Sequence, residues 1–271
     1  MAREFNFGAE VQAAGGIVFK NPEVGDHEAV ISAIIHVGSF QDVFTKGNTK
    51  EVKKPSNVVL LQTTLMGPED KNEDDSRMEQ WMAIPLKSGD KATLTKLLTA
   101  VDPKELLAGF DDFIGQPMMV GMVGDEKKGK NDDGTFKYVN WKTFAGCAGR
   151  MKDMVLADVA SEGLTFTGHI TFDKITKEVL DGIPAHLVRQ YFLNEGFNAD
   201  AKNLSVAGSH VETIIAEARA ADPEWKKKRK DEKEEATPDN RQGLDTGASV
   251  PASVPEVQNV PAPEMDDSQE Y

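Results

Sequence analysis

Residues 118–144 read MMVGMVGDEKKGKNDDGTFKYVNWKTF. Met118 to Val123 is a short apolar run that suits a buried strand. Phe136 to Phe144 alternates its side chains and is rich in aromatic and β-forming residues. The polar segment between them contains Gly129 and Gly134, so the stretch reads as a long-looped antiparallel hairpin. Its loop carries Lys127, Lys128 and Lys130, and its return strand carries Phe136, Lys137, Tyr138, Trp141 and Lys142. Cations interleaved with flat rings suit a single-stranded nucleic acid, which offers phosphates and unpaired bases. The same composition also fits a half-buried strand beside a solvated basic loop.

Upstream, residues 29–37 alternate. Ala29, Ile31, Ala33, Ile35 and Val37 fall on one side, with Ser32 and His36 on the other, which predicts a strand with one buried face. Residues 38–56 hold Phe40, Phe44, Lys46, Lys50, Lys53 and Lys54, a second basic-aromatic segment. Residues 57–66 (NVVLLQTTLM) form a second strand, followed by a mobile acidic loop. Residues 77–86 form a third strand with Met78, Met82, Ile84 and Leu86 on one face. Arg77, Glu79 and Trp81 share the other, where Trp81 is either exposed beside Arg77 or packed under a neighbouring loop. A helix opens at Asp90 and repeats Leu94, Leu97, Leu98 and Val101 at helical spacing. Asp102 caps a further turn with Pro103 and Glu105, and Gly109 stops it.

Three strands, a helix, then two strands is the order of an OB-fold. That fold is a five-stranded Greek-key barrel with a helix between strands three and four. Its ligand groove lies on the face of strands two and three, flanked by the loops after strands one and four. The two basic-aromatic segments occupy those loops, and are expected to converge on one groove.

The flanks differ in character. Residues 1–26 are glycine-rich and read as an irregular lead-in with a short strand at 16–19. Residues 151–235 read as a mostly helical extension, with one added strand at 164–172 and helices at 184–194 and around 211–218. A charged helix starts at Asp222–Pro223, and its lysine run 226–230 is a solvated face or a phosphate contact. Residues 236–271 are Pro, Ala, Val, Ser and acid without periodicity, and read as a disordered acidic tail.

The net charge of −14, taken whole, argues against a nucleic-acid partner. Residues 231–271 alone hold eleven acids and two bases, whereas residues 27–150 hold eighteen acids and sixteen bases. Most of the negative charge is therefore in the tail, and whole-chain charge says little about a local groove. The one cysteine, Cys147, excludes an intramolecular disulfide. No apolar run reaches bilayer length, and the first residues lack an apolar signal core, so a soluble cytoplasmic protein without a membrane partner is expected.

Catalytic motifs are missing from the pattern. Residues 124–131 (GDEKKGKN) nearly match a phosphate-binding P-loop, but Asn131 replaces the metal-holding Ser or Thr and a strand follows where a helix is needed. The five histidines, His27, His36, His169, His186 and His210, show no metal spacing. The pairs Asp111–Asp112, Asp132–Asp133 and Asp266–Asp267 suit loops and caps better than catalysis. No enzyme activity, cofactor or metal is expected.

The segments AVISAIIHVGSF, NVVLLQTTLM, LTKLLTAVDPKELLAGFDDFIGQPMMVGMV and YVNWKTFAG together resemble bacteriophage single-stranded DNA-binding proteins of the OB-fold type, over roughly residues 25–150. DGIPAHL and DPEW resemble that family's C-terminal region. The resemblance implies a protein that coats single-stranded DNA in replication, recombination or repair. Lys46, Lys50, Lys53, Lys54, Arg77, Lys127, Lys128, Lys130 and Lys142 would then meet phosphates. Phe40, Phe44, Trp81, Tyr138 and Trp141 would stack bases, although strand parity puts Tyr138 and Trp141 on opposite faces unless a bulge intervenes. The tail is similar in kind to the family's acidic, aromatic-ended tails, which implies that Asp266, Asp267, Glu270 and Tyr271 dock replication or recombination partners. The tail here ends in Tyr271 where many end in Phe. Deleting residues 231–271 should leave DNA affinity intact or raise it. The competing expectation is an OB-type interaction module or virion component whose basic loops serve assembly. An oligomer is compatible with either.

Overall fold

The computed structural model describes residues 21–46, 49–131, 134–147, 149–196 and 200–227. The chain is mainly β, with helices on both sides of one large sheet. In order come β1 (Gly25–Gln41), β2 (Val43–Lys46), β3 (Thr49–Val52), β4 (Ser56–Leu65), β5 (Glu79–Pro85), α1 (Thr93–Val101) and α2 (Phe110–Phe113). Then follow β6 (Pro117–Gly124), β7 (Val139–Gly146), α3 (Arg150–Glu162), β8 (Gly168–Ile170), α4 (Lys177–Gly182), α5 (Ala185–Tyr191), β9 (Lys202–Asn203) and α6 (His210–Ala221). The main path runs β5-β4-β1-β6-β7, every pair antiparallel, and β2–β3 is a separate hairpin.

β1 departs from the one-sided strand that its alternation suggests. Ile31 pairs with Thr63 and Ala33 with Gln62, so Ser32 is an inserted residue. Such a bulge exchanges the two faces downstream of it. Ala29 and Ile31 therefore join one core with Ile34, Leu61 and Met82, while Ala33, Ile35 and Val37 turn to the other with Val58 and Leu60. Residues 29–35 are all buried, Ser32 included. Both faces of β1 are covered.

Two helical layers do the covering. On one face, Leu94, Leu97, Leu98 and Val101 of α1 and Phe113 of α2 pack on Met118, Val120, Met122 and Trp141. On the other, Leu180 of α4, Val188 and Tyr191 of α5, Val211 of α6, and Trp225 pack on the second core. The third cluster joins Val155 of α3 to Val30, Met66 and Cys147. Residues 164–203 also enter the sheet. β6 pairs with β1 only over Gly25–Val30, then β8 pairs parallel with Ala33–Ile35 and β9 with Phe40–Gln41. The segment after 150 is thus built into the sheet as well as packed on it.

The expected closed barrel is not found. The strand path and the helix between the third and fourth long strands are as anticipated. However, no ladder among the described residues joins β5 to β7, although the two strands approach each other. α1 contacts β5, β6 and β7 alike. Among the described residues the sheet is open.

Local chemistry revises three further expectations. α1 begins at Thr93, not Asp90, with no side-chain cap. Asp102 opens a single hydrogen-bonded turn, its carbonyl accepting the Glu105 N–H at 3.1 Å, and not a further helical one. Its carboxylate accepts the Leu107 N–H at 2.7 Å, and backbone hydrogen bonds from Leu106 and Leu107 lower its pKa from the usual carboxylate value. The acidic loop is pinned: Asp70 is 3% exposed, accepts the Gly67 N–H and meets His27. The strand expected at 16–19 and the tail from 236 lie outside the described residues. No helix among the described residues is long and apolar enough to cross a membrane.

Candidate nucleic-acid interface

The β6–β7 loop is ordered by its own backbone. Asp125 caps the turn Glu126–Lys128 by accepting the Lys127 N–H at 3.0 Å, and Tyr138 O accepts the Asp125 N–H at 2.9 Å. Lys130 and Phe136 form an isolated bridge, and Thr135 O accepts the Asn131 N–H. Asn21 donates from its side chain to the carbonyls of Phe136 and Lys137, tying the entering chain to the loop. The Phe136 ring lies against Gly124, where a side-chain carbon would overlap it. Lys130 Nζ stands 4.6 Å over that ring. Lys127, Lys130 and Lys142 are exposed, and Lys128 and Tyr138 are half-buried. Residues 124–138 contain four lysines and four acids, so the loop presents alternating charge rather than net positive charge.

The β2–β3 hairpin presents a second cation beside a ring. Phe44 is 48% exposed, and Lys53 Nζ is 5.6 Å from its centroid. Lys50 pairs with Asp200 at 2.5 Å and Lys53 with Asp42 at 3.7 Å. Lys54 is exposed. The Lys46 side chain lies outside the described residues.

Several expected contact residues have other work. Phe40 is buried against Tyr191, with ring centroids 4.9 Å apart. Trp141 is 2% exposed, donates its indole N–H to Thr143 O at 2.8 Å, and packs edge-on to Phe144. Neither can stack a base in this fold. A bulge does occur in β7, but at Lys142, outside the interval between Tyr138 and Trp141: Trp141 pairs with Met122 and Thr143 with Gly121. It turns Trp141 and Phe144, three residues apart, into the same core. Arg77 forks onto both Glu162 carboxylate oxygens and donates to Gly67 O at 2.6 Å. Its side chain is 9% exposed, so it is a clamp between the loop that precedes β5 and α3, not a phosphate contact. Trp81 is half-buried against the second core, and is neither exposed beside Arg77 nor packed under a loop.

The two basic segments do not converge on one end of the sheet. Phe40 pairs with Ser56 at the C-terminal end of β1, where the β2–β3 hairpin springs. Gly25 pairs with Met122 at its N-terminal end, where the β6–β7 loop begins. Fully extended, the strand between would span roughly 50 Å, and its bulges shorten that by bending it. Asp266, Asp267, Glu270 and Tyr271 lie outside the described residues.

Phe136 was among the rings of the hairpin, but stacking was assigned to Tyr138, Trp141 and rings elsewhere. The usable signal was Gly124, since a glycine in a strand marks a place where another group comes close. Among the described residues, no group of three or more His, Cys, Asp or Glu could hold a metal ion. No family model matches the chain, and no curated protein or solved structure matches it.

Proposed function

We propose that the protein is a non-enzymatic single-stranded DNA-binding protein on an open OB-type sheet, serving phage replication, recombination or repair, with the acidic tail recruiting partner proteins. The observation that carries this reading is the Phe136 ring, held against Gly124 with an ammonium above it and exposed lysines on either side. With Gly124 under one face of this half-buried ring, the other face becomes a platform for a base when Lys130 swings off it onto a neighbouring phosphate. The strand path, with α1 between the third and fourth long strands, supports the OB-type assignment. Phe44 and Lys54 at the far end of β1 are a second contact point rather than the other wall of one groove.

Binding is tested by the anisotropy of labelled oligo(dT) over a salt series. Intrinsic tryptophan quenching is a poor reporter, because Trp141 and Trp225 are buried. Affinity should fall as salt rises, through release of counterions. Phe136→Ala should weaken binding by about 5- to 100-fold, the effect of losing one stacked base, while Phe136→Trp should retain it. No anisotropy change at low salt would end the proposal.

One observation favours the competing reading of a protein-assembly module. Phe44 and Val52 on the β2–β3 hairpin are 48% and 61% exposed, and Lys50 and Lys53 beside them are already ion-paired. Association that persists in high salt and is abolished in Phe44→Ser would support it.

A further inference from the structure

His36 on β1 and His169 on β8 face each other with their Nε2 atoms 3.0 Å apart. β8 runs parallel to β1, with His169 opposite Ile34 in the ladder. The other nitrogen of His169, Nδ1, lies 3.2 Å from the Asp111 carboxylate on α2. Phe110 presents its ring edge-on to both imidazoles, at 5.7 and 5.6 Å. Both rings are partly buried, and the His169 side chain is 13% exposed. Asp111 is 84% exposed. The ladder partner of His36 on β4 is Val59, which has no charge.

Two imidazole nitrogens at this distance need one hydrogen between them. In the neutral pair, the Nε2–H of one ring donates to the Nε2 lone pair of the other, with the Asp111 carboxylate an ion-pair neighbour of His169 Nδ1. One added proton is accommodated, because one Nε2–H can still donate to the lone pair of the other ring. A second added proton is not, because both Nε2 atoms then carry hydrogens aimed at each other in a half-buried site. The ring centroids, 5.1 Å apart, put the imidazoles nearly end to end. That is the geometry of a shared proton, whereas a chelated metal would require both lone pairs to turn aside.

We propose that His36, His169 and Asp111 form a proton-operated latch that holds β8 on β1 and releases it when both imidazoles are charged. The latch is independent of any DNA contact. β8 leads into the Phe172–Lys174 turn and then to α4, α5 and α6, which cover one face of the sheet. Release would therefore bare the β1 edge at Ala33–Ile35 and loosen the start of that layer. Burial and the neighbouring His169 push the His36 imidazole below its ordinary value, which places the second protonation on the acid side of neutrality.

The experiment is amide hydrogen exchange followed by NMR from about pH 8 to pH 5, with the His36 ring signals recorded in the same samples. After correction for intrinsic rates, exchange at residues 33–35 and 168–170 should rise about tenfold or more as His36 gains its proton. The β4–β5 ladder should not follow. In His169→Gln the amide side chain keeps a hydrogen bond without a charge, so the pH response of β8 should vanish. The His36 titration should also move part of the way back toward neutrality, burial retaining the rest. Corrected exchange that stays flat while His36 titrates, or a response that survives His169→Gln, would overturn the latch. Should the variant fold poorly, the wild-type exchange profile decides alone.

Discussion

Asp70→Ala should destabilise the protein by about 3 kcal/mol, measured by urea unfolding followed by circular dichroism. Asp70 is 3% exposed, yet it sits at the start of a strongly acidic loop where an isolated carboxylate would stay in water. His27 explains its burial. Nδ1 of His27 is 2.8 Å from the Asp70 carboxylate, and Nε2 is 2.9 Å from the Glu23 carbonyl. Both neighbours accept only, so both ring nitrogens must donate and the ring is held as a cation. Burial works against that charge, but the Asp70 and Glu23 hydrogen bonds and the Asp70 and Glu28 carboxylates outweigh it, and the imidazole rises above its ordinary value. Alanine would leave the His27 charge and the Gly67 N–H without their buried partner. The sign of the pH dependence follows. Because the folded value is raised, the His27 contribution is complete below the unfolded value of about 6.5 and fades as pH climbs through the folded one. Wild-type stability should decline over that window, and Asp70→Ala should lack the decline. A loss under about 1 kcal/mol in the variant would show that the pair contributes no more than an exposed one.

What the sequence disclosed, and what it hid, divides along the same physical line. The order of the five long strands and of α1 was readable because each of them advertises its own period, as in the apolar run before Gly124 and the Leu94–Leu97–Leu98–Val101 stripe, whereas the β2–β3 hairpin and α3 were not read. The faces were not readable. An inserted Ser32 between two apolar residues leaves alternation intact on paper while exchanging sides in space. The Lys142 bulge likewise hides that Trp141 and Phe144 share a core. Phe40 looked available because the helices that bury it lie some 150 residues later in the chain, and their demand for an apolar partner leaves no local trace. Arg77 looked available for the same reason, since its acid, Glu162, is supplied by α3. Charge and aromaticity identify candidates for an interface; only the remote partners decide which of them reach solvent. The loops' placement at opposite ends of β1 is a matter of register, which no single segment encodes.

Lys127, Lys128 and Lys130 replaced together by alanine should weaken oligo(dT) binding by about 10- to 100-fold in low salt and lower the slope of log affinity against log salt by roughly two, at about 0.7 for each phosphate no longer neutralised. The slope is the more telling of the two quantities. Acids alternate with these lysines, so their local field is small, and their worth must come from meeting phosphates individually. A drop in affinity with an unchanged slope would mean that the substitution had disturbed the Phe136 platform through Lys130 rather than removed phosphate neutralisation. Lys50→Ala and Lys53→Ala should cost little by comparison, since each lysine already has an acid partner. The separation of the two ends gives a further handle. Sites this far apart contribute additively when one ligand bridges them and independently when it does not. A short oligonucleotide that cannot span β1 should feel the loss of the β6–β7 lysines and be indifferent to Phe44→Ala. A long one should feel both. Indifference to Phe44→Ala at every length would assign the β2–β3 hairpin to protein contacts and leave the β6–β7 loop as the nucleic-acid site.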